Sequence, residues 1–162
     1  MGNDTVSTVS LRSKLLGFIA LMKLRVVELL LITTVPTMIV AEKGLPSMWL
    51  IVATLLGGTL AAGGANAINM FIDRDIDKLM ERTKNRPLVT GVLTSTEALS
   101  FAIAIETIAF VWLWIFVNLL SAVLAASACL FYVFVYSLWL KRSSTSNIVI
   151  GGAAGAVPVL IV

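Results

Sequence analysis

Two long stretches of this chain carry no formal charge: Gly44 to Ile72, and Thr107 to Leu140. A helix needs about 20 apolar residues to cross the hydrocarbon of a bilayer. Inside it, every backbone N–H and C=O must be paired without water. Runs of this length therefore predict membrane-crossing helices, and the second is too long for one crossing. Composition agrees, with 59% apolar and 13% charged residues and a mean hydropathy of +0.99, against about 25% charged in soluble domains. The expected fold class is all-α, a polytopic transmembrane helix bundle whose main partner is the lipid bilayer; no nucleic-acid partner is expected.

Five apolar segments can be read: Val26 to Val40, with a backward extension through Leu15 to Met22; Met48 to Ile72; Ala98 to about Val117; about Leu119 to Leu140; and Asn147 to Val162. Asn118 and Ser121 offer the tight turn that splits the second uncharged run. Thr94-x-x-Glu97 has the form of a capping box and predicts the start of the third long helix. Residues 1–22 read as a polar cytoplasmic segment and 23–162 as the membrane domain. The start is neither a myristoylation signal, because Val6 stands where Ser or Thr is required, nor a secretory signal, because its first apolar run comes late.

The net charge of +3 matters through its placement. Arg12, Lys14, Lys23 and Arg25 precede the first long segment; Arg74, Lys78, Arg82, Lys84 and Arg86 follow the second; Lys141 and Arg142 follow the fourth. The remaining connections hold only Lys43 beside Glu42, or nothing. The positive-inside rule puts the three basic groups, and the N-terminus, in the cytoplasm. A bacterial inner membrane is expected. The chain has no histidine, so it offers no His-bound metal and no His-ligated haem. Its single cysteine, Cys129, excludes an internal disulfide.

Asn69, Asp73 and Asp77 stand at four-residue spacing where the first uncharged run ends. With Asn66 they fall within an arc of about 80° on a helix, Asp75 pointing the other way. Acids at a membrane exit are costly unless something binds them. One reading is a divalent cation shared with a polyanion, since magnesium takes one or two carboxylates plus phosphate oxygens. The other is a solvated helix end in which Asp73, Arg74, Asp77, Lys78, Glu81 and Arg82 pair among themselves. Arg82-Thr83-Lys84-Asn85-Arg86-Pro87 likewise reads either as cations closing over a diphosphate or as a topology signal. Lys23 and Arg25 read as snorkelling anchors or phosphate contacts, with Glu28 as a partner for Arg25. Glu106 is an acid within an apolar segment and a functional or hydrogen-bonded group by default. Tyr132 and Tyr136 read as an interfacial belt or a stacking surface. The paired glycines at 57, 58, 63, 64, 151 and 152, with Gly155, read as close-packing positions.

Taken together, Asn69-Met-Phe-Ile-Asp73-Arg-Asp-Ile-Asp77 and the following Met80-Glu-Arg-Thr-Lys-Asn-Arg-Pro-Leu88 resemble the first aspartate-rich motif of the UbiA superfamily of intramembrane prenyltransferases. Lys23-Leu24-Arg25, Tyr136-Ser-Leu-Trp-Leu-Lys141-Arg142 and Asn147-Ile-Val-Ile-Gly-Gly-Ala-Ala-Gly-Ala-Val-Pro158 are similar to its haem-farnesylating branch. The resemblance covers Lys23 to Pro158. It implies transfer of a farnesyl group from farnesyl diphosphate to a vinyl group of haem B, giving haem O, with Mg2+ and diphosphate held by Asn69, Asp73 and Asp77. It implies diphosphate or carboxylate contacts from Arg25, Lys84, Arg86, Lys141 and Arg142. It also implies a bundle of about nine transmembrane helices, of which about five are present. The second aspartate-rich motif of that superfamily is absent, and no aspartate follows Asp77. The last apolar segment is short of a full crossing. The chain is therefore expected to be the first part of a longer protein and inactive alone. The alternatives are a related prenyltransferase acting on a quinone-precursor or chlorophyll-type acceptor, and a non-catalytic membrane helical module. Hydropathy excludes a soluble aspartate-rich prenyl synthase.

Overall fold

The computed structural model describes residues 10–140, excluding the side chains of residue 136 and residues 138–140. Every element among the described residues is helical: α1 (Leu11–Met22), α2 (Leu24–Ala41), α3 (Met48–Ile72), the single turn α4 (Arg74–Asp77), α5 (Ser95–Phe116), α6 (Leu119–Leu130) and a π-helix (Phe131–Leu140). α2, α3 and α5 are long and apolar enough to cross a bilayer, and the shorter apolar stretch Leu119–Val135 follows them. The fifth apolar segment, with Lys141, Arg142 and the glycines at 151, 152 and 155, lies outside the described residues.

Helix ends fall where side chains can satisfy the orphan backbone donors of a first turn. Ser47 accepts from Leu50 N at 3.2 Å to start α3. The capping box forms as read: Thr94 Oγ1 accepts from Glu97 N, and the Glu97 carboxylate accepts from Thr94 N. Asn118 Oδ1 accepts from Ser121 N at 2.7 Å and opens α6, so the second uncharged run does turn at Asn118.

The backward extension of the first segment proves to be a separate helix. Lys23 adopts a left-handed conformation, φ 50° and ψ 56°, between α1 and α2. The break strips the Met22 carbonyl of its helical partner, and Asn66 Nδ2 of α3 donates to it across the bundle at 3.2 Å. α1 packs on α3 and α5: Leu21 is fully buried, and Lys14 Nζ donates to Glu97 Oε1 at 2.5 Å. A helix break therefore falls at Lys23, and α1 is part of the packed bundle.

α3 is the central helix, with α1, α2, α5, α6 and the π-helix all against it. Lipid provides little drive for helix association, so close backbone approach and specific hydrogen bonds must supply it. Trp112 Nε1 of α5 donates to Ala53 O of α3 at 2.9 Å. At Gly57 an added Cβ would lie 2.7 Å from Leu113 Cγ of α5, whereas at Gly58 the nearest group is Leu31 Cδ2 at 3.8 Å. One core cluster, Leu21, Ala67, Met70, Leu93, Ala98 and Ala102, joins α1, α3, α5 and the chain before α5.

Adjacent glycines should therefore respond oppositely. Gly57→Ala costs about 1–3 kcal/mol in overpacking, which exceeds its gain in helix propensity of up to about 1 kcal/mol. Gly58→Ala keeps that gain. Thermal unfolding of the purified protein in detergent should show a lowered midpoint for Gly57→Ala and an unchanged or raised one for Gly58→Ala.

Candidate functional site

The helical path of α3 continues through its C-terminal end. Asp73 N donates to Asn69 O, and Asp77 N to Asp73 O, each at 2.9 Å. Asn69, Asp73 and Asp77 are therefore stacked one turn apart, and all three are buried, at 4%, 1% and 4% exposure. Asp75 is exposed on the opposite side. The four residues of the predicted arc thus form a polar file on the inward face, beginning at the buried Asn66.

Among the described residues, Arg86 and Ser137 reach this file from elsewhere in the chain. Arg86 Nη1 donates to Asp77 Oδ2 at 2.5 Å, with 20% and 5% side-chain exposure for the pair. A carboxylate that sheltered needs a countercharge. The connection that brings Arg86 back is tied down by Thr83, whose hydroxyl donates to Asp77 O at 2.9 Å, and by Leu93, buried in the core cluster. The second group is Ser137 of the π-helix, fully buried, whose hydroxyl donates to Asn69 Oδ1 at 2.8 Å. Sequence reasoning does not single out Ser137, although it lies in the Tyr136 to Arg142 stretch that carries the resemblance.

Other residues singled out by sequence stand apart from these contacts. Lys84 pairs with the exposed Glu81. Arg74 donates to Phe71 O and lies 4.4 Å from the Phe71 ring centroid. Arg25 is exposed and, with Ile19, Ala20, Lys23, Leu24 and Val26, lines an open hollow of about 410 Å³ at the α1–α2 break; no ion pair joins it to Glu28 among the described residues. Glu106 lies at the α3–α5 seam, its Oε1 2.9 Å from where a Cβ on Gly64 would be.

Among the described residues no three acidic, cysteine or histidine side chains converge as a ready-made metal cage. What the file offers is two carboxylates and an amide, a hard-oxygen set. That suits a cation such as magnesium, which completes its shell with ligand phosphate and water.

The fold defines a multi-pass helical membrane protein with a buried acidic file at the end of its central helix. The family model for the UbiA prenyltransferase family matches residues 30–162. Similar curated proteins carry the name protoheme IX farnesyltransferase. That of Frankia alni is 60% identical over 93% of this chain and 52% of its own length. That of Clavibacter michiganensis is 57% identical over 95% and 50%, and that of a Parafrankia strain 62% identical over 90% and 46%. No solved structure matches. The chain belongs to the UbiA prenyltransferase family, and it spans about half the length of the curated relatives it matches.

The Asp77–Arg86 pair can be tested by itself. Arg86→Gln strands a buried carboxylate and should cost about 2 kcal/mol or more. Adding Asp77→Asn should recover part of that loss, with a coupling of about 1 kcal/mol or more in a double-mutant cycle of thermal or denaturant unfolding.

Proposed function

We propose that the whole protein transfers the farnesyl group of farnesyl diphosphate to a vinyl group of haem B, with addition of water, giving haem O and pyrophosphate. The observation that carries this reading is the buried, in-register file Asn69, Asp73 and Asp77 at the mouth of a span-length apolar helix. The family membership and the names of the relatives support it. The proposed setting is a bacterial inner membrane with the N-terminus in the cytoplasm, and residues 23–162 contribute part of the transferase domain.

In this reading Asn69, Asp73 and Asp77 hold magnesium and the diphosphate between them. When bound, the cation offsets the charge that builds up on the departing diphosphate. The chain's own groups do the rest. Arg86, beside Asp77, presents a guanidinium suited to phosphate oxygens, and Lys84 is a second cation on the same connection. Arg25, Lys141 and Arg142 are proposed contacts for diphosphate or for the haem carboxylates. The C1–O bond of the farnesyl diphosphate breaks with its electron pair leaving on the diphosphate. The vinyl π electrons then form the new bond to C1. Water adds to the cation left beside the porphyrin and loses a proton. The acceptor's own electrons are the nucleophile, so the protein need supply only positioning, charge stabilisation and exclusion of stray water.

Membranes holding the intact protein should transfer label from farnesyl diphosphate to haem B, and Asp73→Asn should lower the rate about 100-fold or more, equivalent to about 2.7 kcal/mol in the barrier. Label passing to a quinone precursor instead of haem would move the protein to the related acceptor class. An Asp73→Asn variant as active as the parent would remove the acidic file from the reaction.

A further inference from the structure

The π-helix that follows α6 places the Ser137 hydroxyl against α3. In a π-turn each backbone bond spans five residues, and such turns are rare and concentrated at functional sites. Here the extra residue per turn brings Ser137 Oγ within reach of two acceptors that share its one proton, Asn69 Oδ1 at 2.8 Å and Tyr132 O, five residues back, at 3.1 Å. Ser137 is fully buried and Asn69 nearly so, so this bond forms where water does not compete with it.

A carboxamide has one acceptor end and one donor end. The bond from Ser137 takes one lone pair of Oδ1 and fixes which way the amide points, while Nδ2, with its two N–H donors, makes no hydrogen bond among the described residues. Unlike Oδ1 or a carboxylate, Nδ2 cannot ligate a cation, but it can donate to a phosphate oxygen. We infer that Ser137 is a positioning residue: it fixes the Asn69 amide so that Nδ2 donates to the diphosphate, leaving Asp73 and Asp77 to hold the cation. The inference deepens the proposed reaction and rests on that reading for the identity of its ligand. It divides the polar file by function, an anion-binding amide one turn before two cation-binding acids.

The test compares Ser137→Thr, which keeps the hydroxyl, with Ser137→Val, its near-isostere without one, and with Ser137→Ala. The purified intact protein is titrated with labelled inorganic pyrophosphate at several Mg2+ concentrations, and farnesyl transfer to haem B is assayed in parallel. The expected result is a roughly tenfold weaker pyrophosphate Kd and a matching rise in KM for farnesyl diphosphate for Val and Ala. The Mg2+ concentration for half-saturation should be unchanged, and Thr should lie within about twofold of the parent. Equal effects of Thr and Val overturn the inference, because the hydroxyl is then irrelevant. A shifted Mg2+ requirement in Val and Ala overturns it too, because Asn69 then serves the cation. Failure of both hydroxyl-free variants to accumulate, with Thr accumulating normally, also overturns it, by making the bond purely structural. A parent protein that binds pyrophosphate with the expected variant pattern yet transfers nothing to haem sinks the reaction and leaves the Ser137 assignment standing.

Discussion

Burying two carboxylates at the end of a membrane-spanning helix is the constraint to which the rest of this molecule answers. An acid sheltered from water on that boundary is unstable without a countercharge or a bound cation. Asp77 obtains the guanidinium of Arg86, nine residues on. That pairing requires the connection after α4 to double back onto the helix end instead of trailing away from it. The connection is held by a polar tie, Thr83 to the Asp77 carbonyl, and by an apolar anchor centred on Leu93, with Leu88 and Val92 beside it. The anchor in turn needs α1 beside it, and Gly17 of α1 provides the room: an added Cβ there would stand 3.2 Å from Leu93 Cδ1. α1 is then fastened to α5 by Lys14 and Glu97. A charge requirement at one residue thus propagates into the placement of three helices.

Much of this was legible in the sequence because the signals were local. α3 was read from Met48 to Ile72 and is found so, since an uncharged run bounded by a capping serine and an aspartate leaves little choice. The Thr94–Glu97 capping box and the Asn118 turn were equally plain, each depending on residues within one turn of the other. The stacking of Asn69, Asp73 and Asp77 followed from helical period alone. What could not be read depended on partners distant in sequence. The left-handed Lys23 has no glycine to announce it, and the freed Met22 carbonyl is answered by Asn66, forty-four residues away. The π-turn that delivers Ser137 has no local signature either; Ser137 meets Asn69 across sixty-eight residues. Lys84, which the sequence places among the cations of this connection, is found in an exposed pair with the nearby Glu81.

The small residues and the acids of α3 are two parts of one design problem. Gly57 and Gly64 let α5 approach closely enough for Leu113 and Glu106 to seat against the α3 backbone. Close approach there fixes the rotation of α3 about its own axis. A helix free to rotate would sweep its polar file across lipid as readily as into the bundle. The file faces inward because the glycine face, lower on the same helix, is already committed.

A prenyl diphosphate has the same polarity as this helix: a long apolar body joined to a compact anion. A ligand of that kind is best held where hydrocarbon gives way to countercharge, and α3 makes that change between Met70 and Asp77. Below it the surroundings are Ala67, Met70 and the apolar cluster; above it are Asp73, Asp77 and Arg86. A soluble scaffold would have to build an apolar tunnel beside its charged site. Here the bilayer supplies the apolar phase, and the protein need only bury a few polar groups at the boundary and hold them still. The holding is the harder part, since an amide or carboxylate at a membrane surface has many water-bonded orientations available. The bonds from Ser137 and Arg86 reduce that number at Asn69 and Asp77 before any ligand arrives, which lowers the ordering cost at binding.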